Sequence, residues 1–299
     1  MNDKYEVTVF TPLYNRANML RNIYESLLKN TKYRLEWLII DDGSTDEPEP
    51  VLYEIRKECP DEIDIRYIRK QNGGKHTAYN LALEKANGRY FVCLDSDDTI
   101  VNNALNETIT LLKTNIEPAV SGIITLKKDK AGKLLSGIPS KSIKACTIFD
   151  LMSKYGGLGE YAFIFKTDVA KRYPFPVFAG EKFISESVVY NKMSIDAIKF
   201  LYSDIVLMEC EYQAGGLSAT IIKNQKNCPS GFAYEYIGRT ELPITLYKRI
   251  IDASKYWAFV WLSGNKKILN VKKSSIIFLG IPLGAVAYLF YRIRFFRER

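Results

Sequence analysis

The sequence predicts an α/β fold in which a mixed, mostly parallel sheet is flanked by helices. The first observation is an alternation of short β-branched or aromatic runs with helical segments over residues 5–115. Such alternation favours parallel strand pairing, with helices covering both faces of the sheet. The second is that a polar turn follows each of four predicted strands. Ligands of open sheets bind at the carboxyl ends of strands, so we expect these turns to line one edge.

The individual elements follow from local periodicity. Strands are predicted over 6–10, 36–41, 63–68 and 89–94, and helices over 17–30, 49–58 and 76–87. Beyond residue 115 the pattern loosens. There it predicts strands over 119–126 and 161–166, one or two more over 198–212, and helices over 185–195 and 242–262.

Composition bounds the class of protein. Hydrophobic residues make up 47% of the 299 residues and charged residues 25%, which allows a sizeable core. The formal net charge of +8 indicates an anionic partner. The single histidine, His76, excludes a multi-histidine metal site. Five cysteines without C-x-x-C spacing favour reduced thiols and a cytosolic setting. The start, MNDKYEVTVF, is typical of a strand, so we expect no secretion signal.

Three aspartates follow the predicted strand in YFVCLDSDDTI: Asp95, Asp97 and Asp98. Three carboxylates on one turn repel one another unless a positive charge lies among them. Capping of the next helix is an alternative, but one Asp or Ser suffices for a cap. Mg²⁺ and Mn²⁺ prefer oxygen ligands and often take one or two protein carboxylates, with substrate phosphates completing the shell. The cluster therefore favours a divalent metal holding a diphosphate.

Two further turns carry binding chemistry. In IIDDGSTDEP, Asp41 or Asp42 can accept an N–H from a base edge, although a plain strand–turn–helix junction is the alternative. In RKQNGGKHTAYN, Gly74 and Lys75 precede a helix, where backbone N–H groups and a lysine suit a phosphate. Neither the Walker spacing nor G-x-G-x-x-G is present.

Four segments, VTVFTPLYNRANMLRNIYESLL, EWLIIDDGSTD, QNGGKHTAYNLAL and GRYFVCLDSDD, resemble in order and spacing the bacterial family 2 nucleotide-sugar glycosyltransferases with the Rossmann-like GT-A fold. The resemblance is strong over residues 5–115 and weaker to about 220, where GEKFISESVVYNKM and EYQAGGLSATI resemble the acceptor half. It implies a catalytic domain over 1–220, with a nucleotide-sugar-binding half (1–115) and an acceptor half (116–220). Residues 221–299 would form a helical, membrane-associated extension.

The resemblance also implies roles for individual residues. Those expected at the nucleotide sugar are Thr11, Pro12, Tyr14, Asp42, Gly74, Lys75, Asp95 and Asp97. Tyr14 would lie near the base, Asp42 at the uracil edge and Lys75 near the diphosphate. Asp95 would contact the ribose or sugar, and Asp97 would be the ligand of Mn²⁺ or Mg²⁺. The chain reads Ala78-Tyr79-Asn80 where the family commonly has A-R-N, so a cationic contact is lost there and Lys75 would compensate.

An inverting transfer requires a general base for the acceptor hydroxyl. Many family members carry a Glu-Asp pair at the start of an acceptor-side helix, and its Asp is the base. Here the pair reads Glu186-Ser187. We predict Glu186 as the base, with Glu181 second. The alternative is that Glu186 only stabilises the helix start through the helix dipole.

The C-terminal tail contains an apolar run from Ile276 to Tyr291, sixteen residues with basic residues on both sides. As a helix it would span about 24 Å, less than the ~30 Å hydrocarbon core. Basic flanks favour a segment whose two ends stay on the cytoplasmic face, lying on anionic lipid. A single span, a buried core helix and a homodimer contact are the alternatives.

Together these features predict an inverting, metal-dependent transferase. It would move a sugar from a UDP-sugar to a glycan or lipid-linked acceptor in capsule, exopolysaccharide or lipopolysaccharide assembly. It would be cytoplasmic and peripheral on the inner face of the cell membrane, with no nucleic-acid partner because base-stacking aromatics interleaved with Lys and Arg are not evident. The alternatives are a nucleotidyltransferase and a membrane-bound sugar-nucleotide-binding protein without transfer activity.

Overall fold

The computed structural model of the chain describes residues 4–114, 120–139, 143–211, 220–264 and 275–297. The fold divides into two compact units. Unit 1 comprises Met1–Pro174 and Ala197–Gln213, and unit 2 comprises Phe175–Asp196 and Ala214–Arg299. The sequence predicted a different kind of boundary, at residue 220, between a catalytic domain and a membrane-associated extension. That functional division stays a prediction. Most of the acceptor-side stretch EYQAGGLSATI lies outside the described residues.

Unit 1 contains a sheet and the helices that cover it. Its strands are β1 (Tyr5–Leu13), β2 (Leu35–Asp41), β3 (Ile63–Arg69), β4 (Gly88–Cys93), β5 (Thr99–Ile100), β6 (Val120–Asp129), β7 (Ala145–Cys146), β8 (Tyr161–Lys166) and β9 (Lys199–Cys210). Its helices are a 3-10 turn (Ala17–Met19), α1 (Leu20–Leu28), α2 (Pro48–Glu58), α3 (Lys75–Lys85), α4 (Ala104–Thr114), α5 (Ile148–Lys154) and α6 (Thr167–Ala170). The strands and helices predicted over the first 94 residues are confirmed.

The strand order is β3-β2-β1-β4-β8-β6-β9-β5, with β7 paired to β9. β1 pairs in parallel with β2 and β4, and β2 pairs in parallel with β3. β8 is antiparallel to both β4 and β6, whereas β6 and β9 are parallel. The predicted mixed sheet is confirmed, and parallel pairing accounts for its longer ladders.

All seven residues of β2, LEWLIID, are buried, as expected for an inner strand covered by helices on both faces. Burial of Glu36 within this strand requires hydrogen-bond partners. Its carboxylate accepts from Thr8 Oγ1 at 2.6 Å, from Asn87 N at 3.0 Å and from Asn87 Nδ2 at 2.9 Å. Arg66 of β3 completes the cluster with an ion pair. The carboxylate therefore joins β1, β2, β3 and the start of β4.

Replacing Glu36 with alanine is expected to lower the free energy of unfolding by about 3 kcal/mol, because the surrounding donors lose their acceptor. Urea unfolding followed by circular dichroism measures this change. The matched control is Glu84→Ala on α3, where the carboxylate is exposed and pairs with Lys85, and where we expect less than about 0.5 kcal/mol. Equal effects of the two substitutions would contradict the assigned role of Glu36.

Unit 2 is helical over its described residues. Its helices are α7 (Ser187–Ile195), α8 (Ile221–Asn227), α9 (Pro229–Arg239), α10 (Leu246–Ser263), α11 (Ser275–Leu279) and α12 (Ile281–Arg297). Their core is aromatic: Phe259 of α10 stacks on Phe232 with ring centroids 5.4 Å apart and contacts Tyr291 of α12 at 4.7 Å. The predicted helices over 185–195 and 242–262 are confirmed, with somewhat later starts.

The C-terminal apolar run forms two helices, α11 and α12, that pack on α10. Close approach explains two glycines: a Cβ on Gly280 would lie 2.6 Å from the Ala253 backbone, and one on Gly284 would lie 2.8 Å from Trp257 Cβ. Of the helices described, none combines the length and apolarity that a membrane crossing requires.

Candidate active site

The carboxyl ends of β1, β2, β3 and β4 bring the four polar turns to one edge of the unit 1 sheet. Leu13 of β1 lies opposite Asp41 of β2, which in turn lies opposite Arg69 of β3. On the other side of β1, Phe10 lies opposite Cys93 of β4. Because all four strands run in the same direction, the turns that follow them leave the sheet side by side. The predicted convergence of the four turns is confirmed.

Polar contacts join the four turns into one network, here called the four-turn network. Arg16 of the first turn pairs with Asp97 of the fourth, Nη1 to Oδ2 at 2.9 Å. Lys75, which follows the third turn and begins α3, pairs with Asp95 of the fourth, Nζ to Oδ1 at 2.7 Å. Asp42 of the second turn accepts hydrogen bonds from the third. Charged groups from separate parts of the sequence thus lie at one place.

Asp42 organises the glycine turn. Its buried carboxylate accepts from the backbone N–H groups of Gly73 at 2.9 Å and Gly74 at 2.7 Å, and from Lys70 Nζ at 2.5 Å. Gly74 has φ +92°, a conformation that favours glycine, immediately before α3. Both Asp42 oxygens therefore accept donors from the protein itself. The predicted contact of Asp42 with a uracil edge stays a prediction.

Other predicted residues of the first two turns differ in exposure. Thr11 is fully buried, and its hydroxyl accepts from Trp37 Nε1 at 3.0 Å, so its side chain faces the core. Asp41 is also buried and accepts from Tyr67 Oη at 2.6 Å. Pro12 is half-buried. Tyr14 is 50% exposed, which leaves its ring available for stacking on a base. Of the two aspartates considered at the second turn, Asp41 therefore serves the fold.

The three aspartates of the fourth turn differ in surroundings. Burial raises the pKa of Asp95, but Lys75, Lys127 and Arg16 outweigh burial and leave that pKa below its usual value. Asp97 remains partly exposed beside Arg16. Asp98 points inward, accepts from the Cys210 thiol at 3.2 Å, and has its pKa raised to about 6 by burial against the opposing charge of Lys127. Only Asp95 and Asp97 are thus placed to meet a ligand.

Three cationic side chains offset the mutual repulsion of the aspartates in the fourth turn. Arg16 and Lys75 pair with Asp97 and Asp95, and Lys127 Nζ lies 3.6 Å from Asp98 Oδ2. Sequence analysis anticipated a positive charge but missed Arg16 and Lys127 as its sources. The signal for Arg16 was the basic end of the TPLYNR turn. Lys127 lies in a stretch that resembles a hairpin tip, and its approach to Asp98 depends on the β6–β9 pairing.

The position that departs from A-R-N is occupied by a buried ring. Tyr79 packs edge-on against Phe10 and Phe91, with centroids 5.9 and 5.4 Å apart. It therefore offers no charge to a diphosphate. Lys70, which hydrogen bonds to Asp42 and to Thr77 Oγ1 at 2.8 Å, is a second cation beside Lys75 at this turn.

The carboxylates of the fourth turn supply the small number of oxygen ligands that Mn²⁺ or Mg²⁺ takes from a protein. Across the part of the chain that the structure describes, no three His, Cys, Asp or Glu side chains are grouped to hold a metal by themselves. Such hard ions need no complete protein cage, because water and substrate phosphates fill the remaining positions. Asp95 and Asp97, whose side chains are 34% and 17% exposed, offer carboxylate oxygens on one turn. The assignment of the ion to Asp97 stays a prediction.

Arg16 forms an ion pair with Asp97, the carboxylate that is predicted to bind the metal. Replacing it with glutamine is expected to tighten Mn²⁺ binding in the absence of nucleotide by about tenfold, since about 1.4 kcal/mol of ion pairing no longer competes. Isothermal titration of Mn²⁺ measures this affinity. The matched control is Arg21→Gln, which removes an exposed pair with Glu58. Weaker Mn²⁺ binding in the Arg16 variant would show that Arg16 does not compete for Asp97.

The two predicted base candidates lie in unit 2. Glu181 accepts from the backbone N–H groups of Ser230 at 2.7 Å and Gly231 at 2.8 Å, so its carboxylate caps the start of α9. Glu186 is exposed immediately before α7, and Tyr190 Oη donates to it at 3.3 Å. These contacts give Glu181 a clear role in the fold and leave Glu186 accessible to solvent.

A third carboxyl, Glu235 of α9, was missed by sequence analysis. Burial raises its pKa, whereas a hydrogen bond from Ser187 and the charge of Arg239 act to lower it. Ser187, at the start of α7, also lies 2.8 Å from the Ser185 hydroxyl. Nothing in the local sequence of α9, PSGFAYEYIGR, distinguishes Glu235 from an ordinary helix-surface glutamate.

Comparisons with known proteins agree with this architecture. Residues 8–160, just over half of the chain, match the family described as Glycosyl transferase family 2. An uncharacterized glycosyltransferase of Rickettsia bellii is 34% identical over 137 residues, which are 46% of this chain and 19% of that protein. Glycosyltransferase GlyA of Streptococcus pneumoniae is 33% identical over 114 residues, 38% of this chain and 15% of that protein. The match thus spans less than a fifth of the length of these curated relatives.

Solved structures share the fold. S. aureus TarS 1–349 in complex with UDP-GlcNAc has a TM-score of 0.61 at 17% identity, covering 93% of this chain and 79% of that one. The mannosyltransferase PcManGT of Pyrobaculum calidifontis, in complex with GDP-Man and Mn²⁺, has a TM-score of 0.56 at 18% identity, covering 98% and 84%. These likenesses show that the chain shares the GT-A type of fold. The chain belongs to glycosyl transferase family 2.

Proposed function

We propose that the protein transfers a sugar from a UDP-sugar to a glycan or lipid-linked acceptor, with inversion at the anomeric carbon, during cell-surface polysaccharide assembly. The four-turn network supports this proposal most strongly, because it gathers two cations and three carboxylates at the sheet edge where Tyr14 is half-exposed. TarS was solved with UDP-GlcNAc. TuaG of Bacillus subtilis, 34% identical over 106 residues, is provisionally named for teichuronic acid biosynthesis. Capsule, exopolysaccharide and lipopolysaccharide are the corresponding product classes.

The first, third and fourth turns bind the donor's charged part. Lys75 and Arg16 each pair with a carboxylate in the structure, and both contact the anionic diphosphate when the donor binds. Asp97, aided by Asp95, would hold Mn²⁺ or Mg²⁺, and the ion would supply positive charge for the leaving diphosphate. Asp42 acts indirectly by fixing the backbone of Gly73 and Gly74. Tyr14 provides an aromatic face for the base.

The acceptor's proton is taken by Glu186. Its exposed carboxylate is the better of the two predicted candidates, since both Glu181 oxygens already bind the start of α9. A general base acts within hydrogen-bond reach of the proton that it removes. The nucleophile is the acceptor hydroxyl, whose oxygen attacks the anomeric carbon as the bond to the diphosphate breaks.

Transfer of a radiolabelled sugar tests the proposal directly. The full chain is incubated with a panel of UDP-sugars, lipid-linked acceptors and Mn²⁺, and labelled lipid product is counted with and without EDTA. We expect one or a few UDP-sugars to yield product that EDTA abolishes. The opposite result is release of pyrophosphate from a nucleoside triphosphate and a sugar phosphate, which would identify a nucleotidyltransferase.

A binding protein without transfer activity is the second candidate. Ser187 favours it, because a serine stands where the family resemblance places the base. The distinguishing result is tight binding of UDP together with neither transfer to any acceptor nor hydrolysis of the UDP-sugar. For the transferase and for the binding protein alike, we propose peripheral association with the cytoplasmic face of the cell membrane. A lipid-linked acceptor of the transferase would lie there. A homodimer remains the alternative use of the C-terminal helices.

A further inference from the structure

One face of the C-terminal helices exposes large apolar side chains. The outer stripe is defined as Leu279, Val286, Leu289, Phe290, Ile293 and Phe296, each 57–70% exposed. Within α12 these residues recur at intervals of three and four, so they line a single face of the helix. Large apolar side chains that are exposed side by side on a folded domain mark an interaction surface.

The opposite face of α12 is fixed against α10. Tyr291 and Phe295 are buried in the aromatic core of unit 2, and Gly284 is packed against Trp257. Trp257 Nε1 also donates to the carbonyl oxygen of Ile277 in α11 at 2.8 Å. Rotation of α12 to bury the outer stripe would break these contacts. The apolar stripe is therefore held outward by the packing of unit 2.

The stretch of sequence that carries the stripe is basic. Residues 253–297 contain eight lysines and arginines and no aspartate or glutamate. Because the chain has 42 basic and 34 acidic residues, the remainder holds 34 of each and is formally neutral. The whole net charge of +8 thus belongs to the segment that carries α11 and α12. Arg292 is exposed among the residues of the stripe.

We propose that the outer stripe docks on an anionic phospholipid bilayer, with α12 lying in the plane of the headgroups. An apolar helix face flanked by basic residues is the pattern of interfacial helices. Anionic headgroups attract Lys and Arg near the surface, whereas two copies of this segment would bring like charges together. Charge complementarity therefore selects the bilayer over a second copy of the chain.

The docking surface goes beyond the proposed transfer reaction and is tested without any donor or acceptor. It would hold the protein beside a lipid-linked acceptor. Vesicle binding and sugar transfer are separate measurements, so failure of one is distinguishable from failure of the other.

Co-sedimentation of the full chain with vesicles gives the test. Vesicles of phosphatidylcholine mixed with the anionic lipid phosphatidylglycerol are compared with vesicles of pure phosphatidylcholine. We expect binding to the anionic vesicles that weakens in high salt, and at least a tenfold loss of partitioning in the double variant Phe290→Ser/Ile293→Ser. The matched control is Leu158→Ser/Leu246→Ser, which removes equally exposed leucines elsewhere and should bind like the wild type.

Three outcomes would overturn the proposal. Unchanged vesicle binding by Phe290→Ser/Ile293→Ser, with an unchanged melting temperature, would place any lipid contact elsewhere. Equal loss in the control variant would show a nonspecific effect of apolar surface. A wild-type dimer in light scattering that becomes monomeric in Phe290→Ser/Ile293→Ser, with no binding to anionic vesicles, would assign the stripe to a second copy of the chain.

Discussion

Replacing Asp97 with asparagine is expected to lower kcat/KM for sugar transfer by about a thousandfold. The amide keeps the shape of the side chain but removes the negative charge that binds a divalent cation. Loss of about 4 kcal/mol of charge stabilisation on the leaving diphosphate corresponds to that factor. Radiolabelled transfer at saturating acceptor, with Mn²⁺ varied, measures the effect. Added Mn²⁺ should restore little of the lost rate.

The control for Asp97 is Asp61→Asn, an exposed aspartate in the loop before β3. It changes the net charge of the protein equally and should leave transfer unaltered. Should Asp97→Asn retain wild-type turnover that is also insensitive to EDTA, metal assistance at this turn would be ruled out. Loss of activity together with a lowered melting temperature would instead indicate damage to the turn, so thermal unfolding accompanies the assay.

Glu186→Gln is expected to lower kcat by about 10²–10⁴-fold, the usual contribution of a general base. The base acts on the acceptor hydroxyl, so the affinity for UDP should not change. Transfer rates and UDP calorimetry on the same preparation separate the two effects.

Two other glutamates serve as comparisons for Glu186. Glu181→Gln should lower the melting temperature, because it weakens the cap on α9, while leaving the folded fraction active. Glu235→Gln tests the half-buried carboxyl that accepts a hydrogen bond from Ser187. Full activity in Glu186→Gln combined with loss of transfer in Glu235→Gln would move the base assignment to Glu235.

Local sequence patterns predicted unit 1 well because its elements are governed by short-range periodicity. The apolar run of β2 proved wholly buried, together with Glu36 and Asp41, and YAFIFK proved to be β8 at its predicted bounds. The polar turns were also predictable, because parallel strands place their carboxyl ends together. What could not be predicted is which charges pair. Arg16 and Asp97 are about eighty residues apart, and only the completed sheet brings them within 2.9 Å.

The same limit applies to side-chain direction and to unit 2. In sequence Asp98 belongs to the same acidic cluster as Asp95 and Asp97, but in the structure it is buried and accepts from the Cys210 thiol of β9. The family resemblance makes Thr11 a nucleotide contact, but in the structure its hydroxyl accepts a hydrogen bond from Trp37 of the neighbouring strand. In the tail, hydropathy indicated one apolar run without revealing that Gly280 and Gly284 seat it on α10. These are tertiary contacts, and short-range pattern carries no information about them.

The central claim is that the four-turn network binds the diphosphate of a UDP-sugar through a divalent cation. Calorimetric titration of UDP into the full chain, with and without Mn²⁺, tests this most directly. We predict one site per chain that requires Mn²⁺, is lost in Asp97→Asn and persists in Asp61→Asn. Binding of UDP that is indifferent both to Mn²⁺ and to the charge of Asp97 would contradict the account.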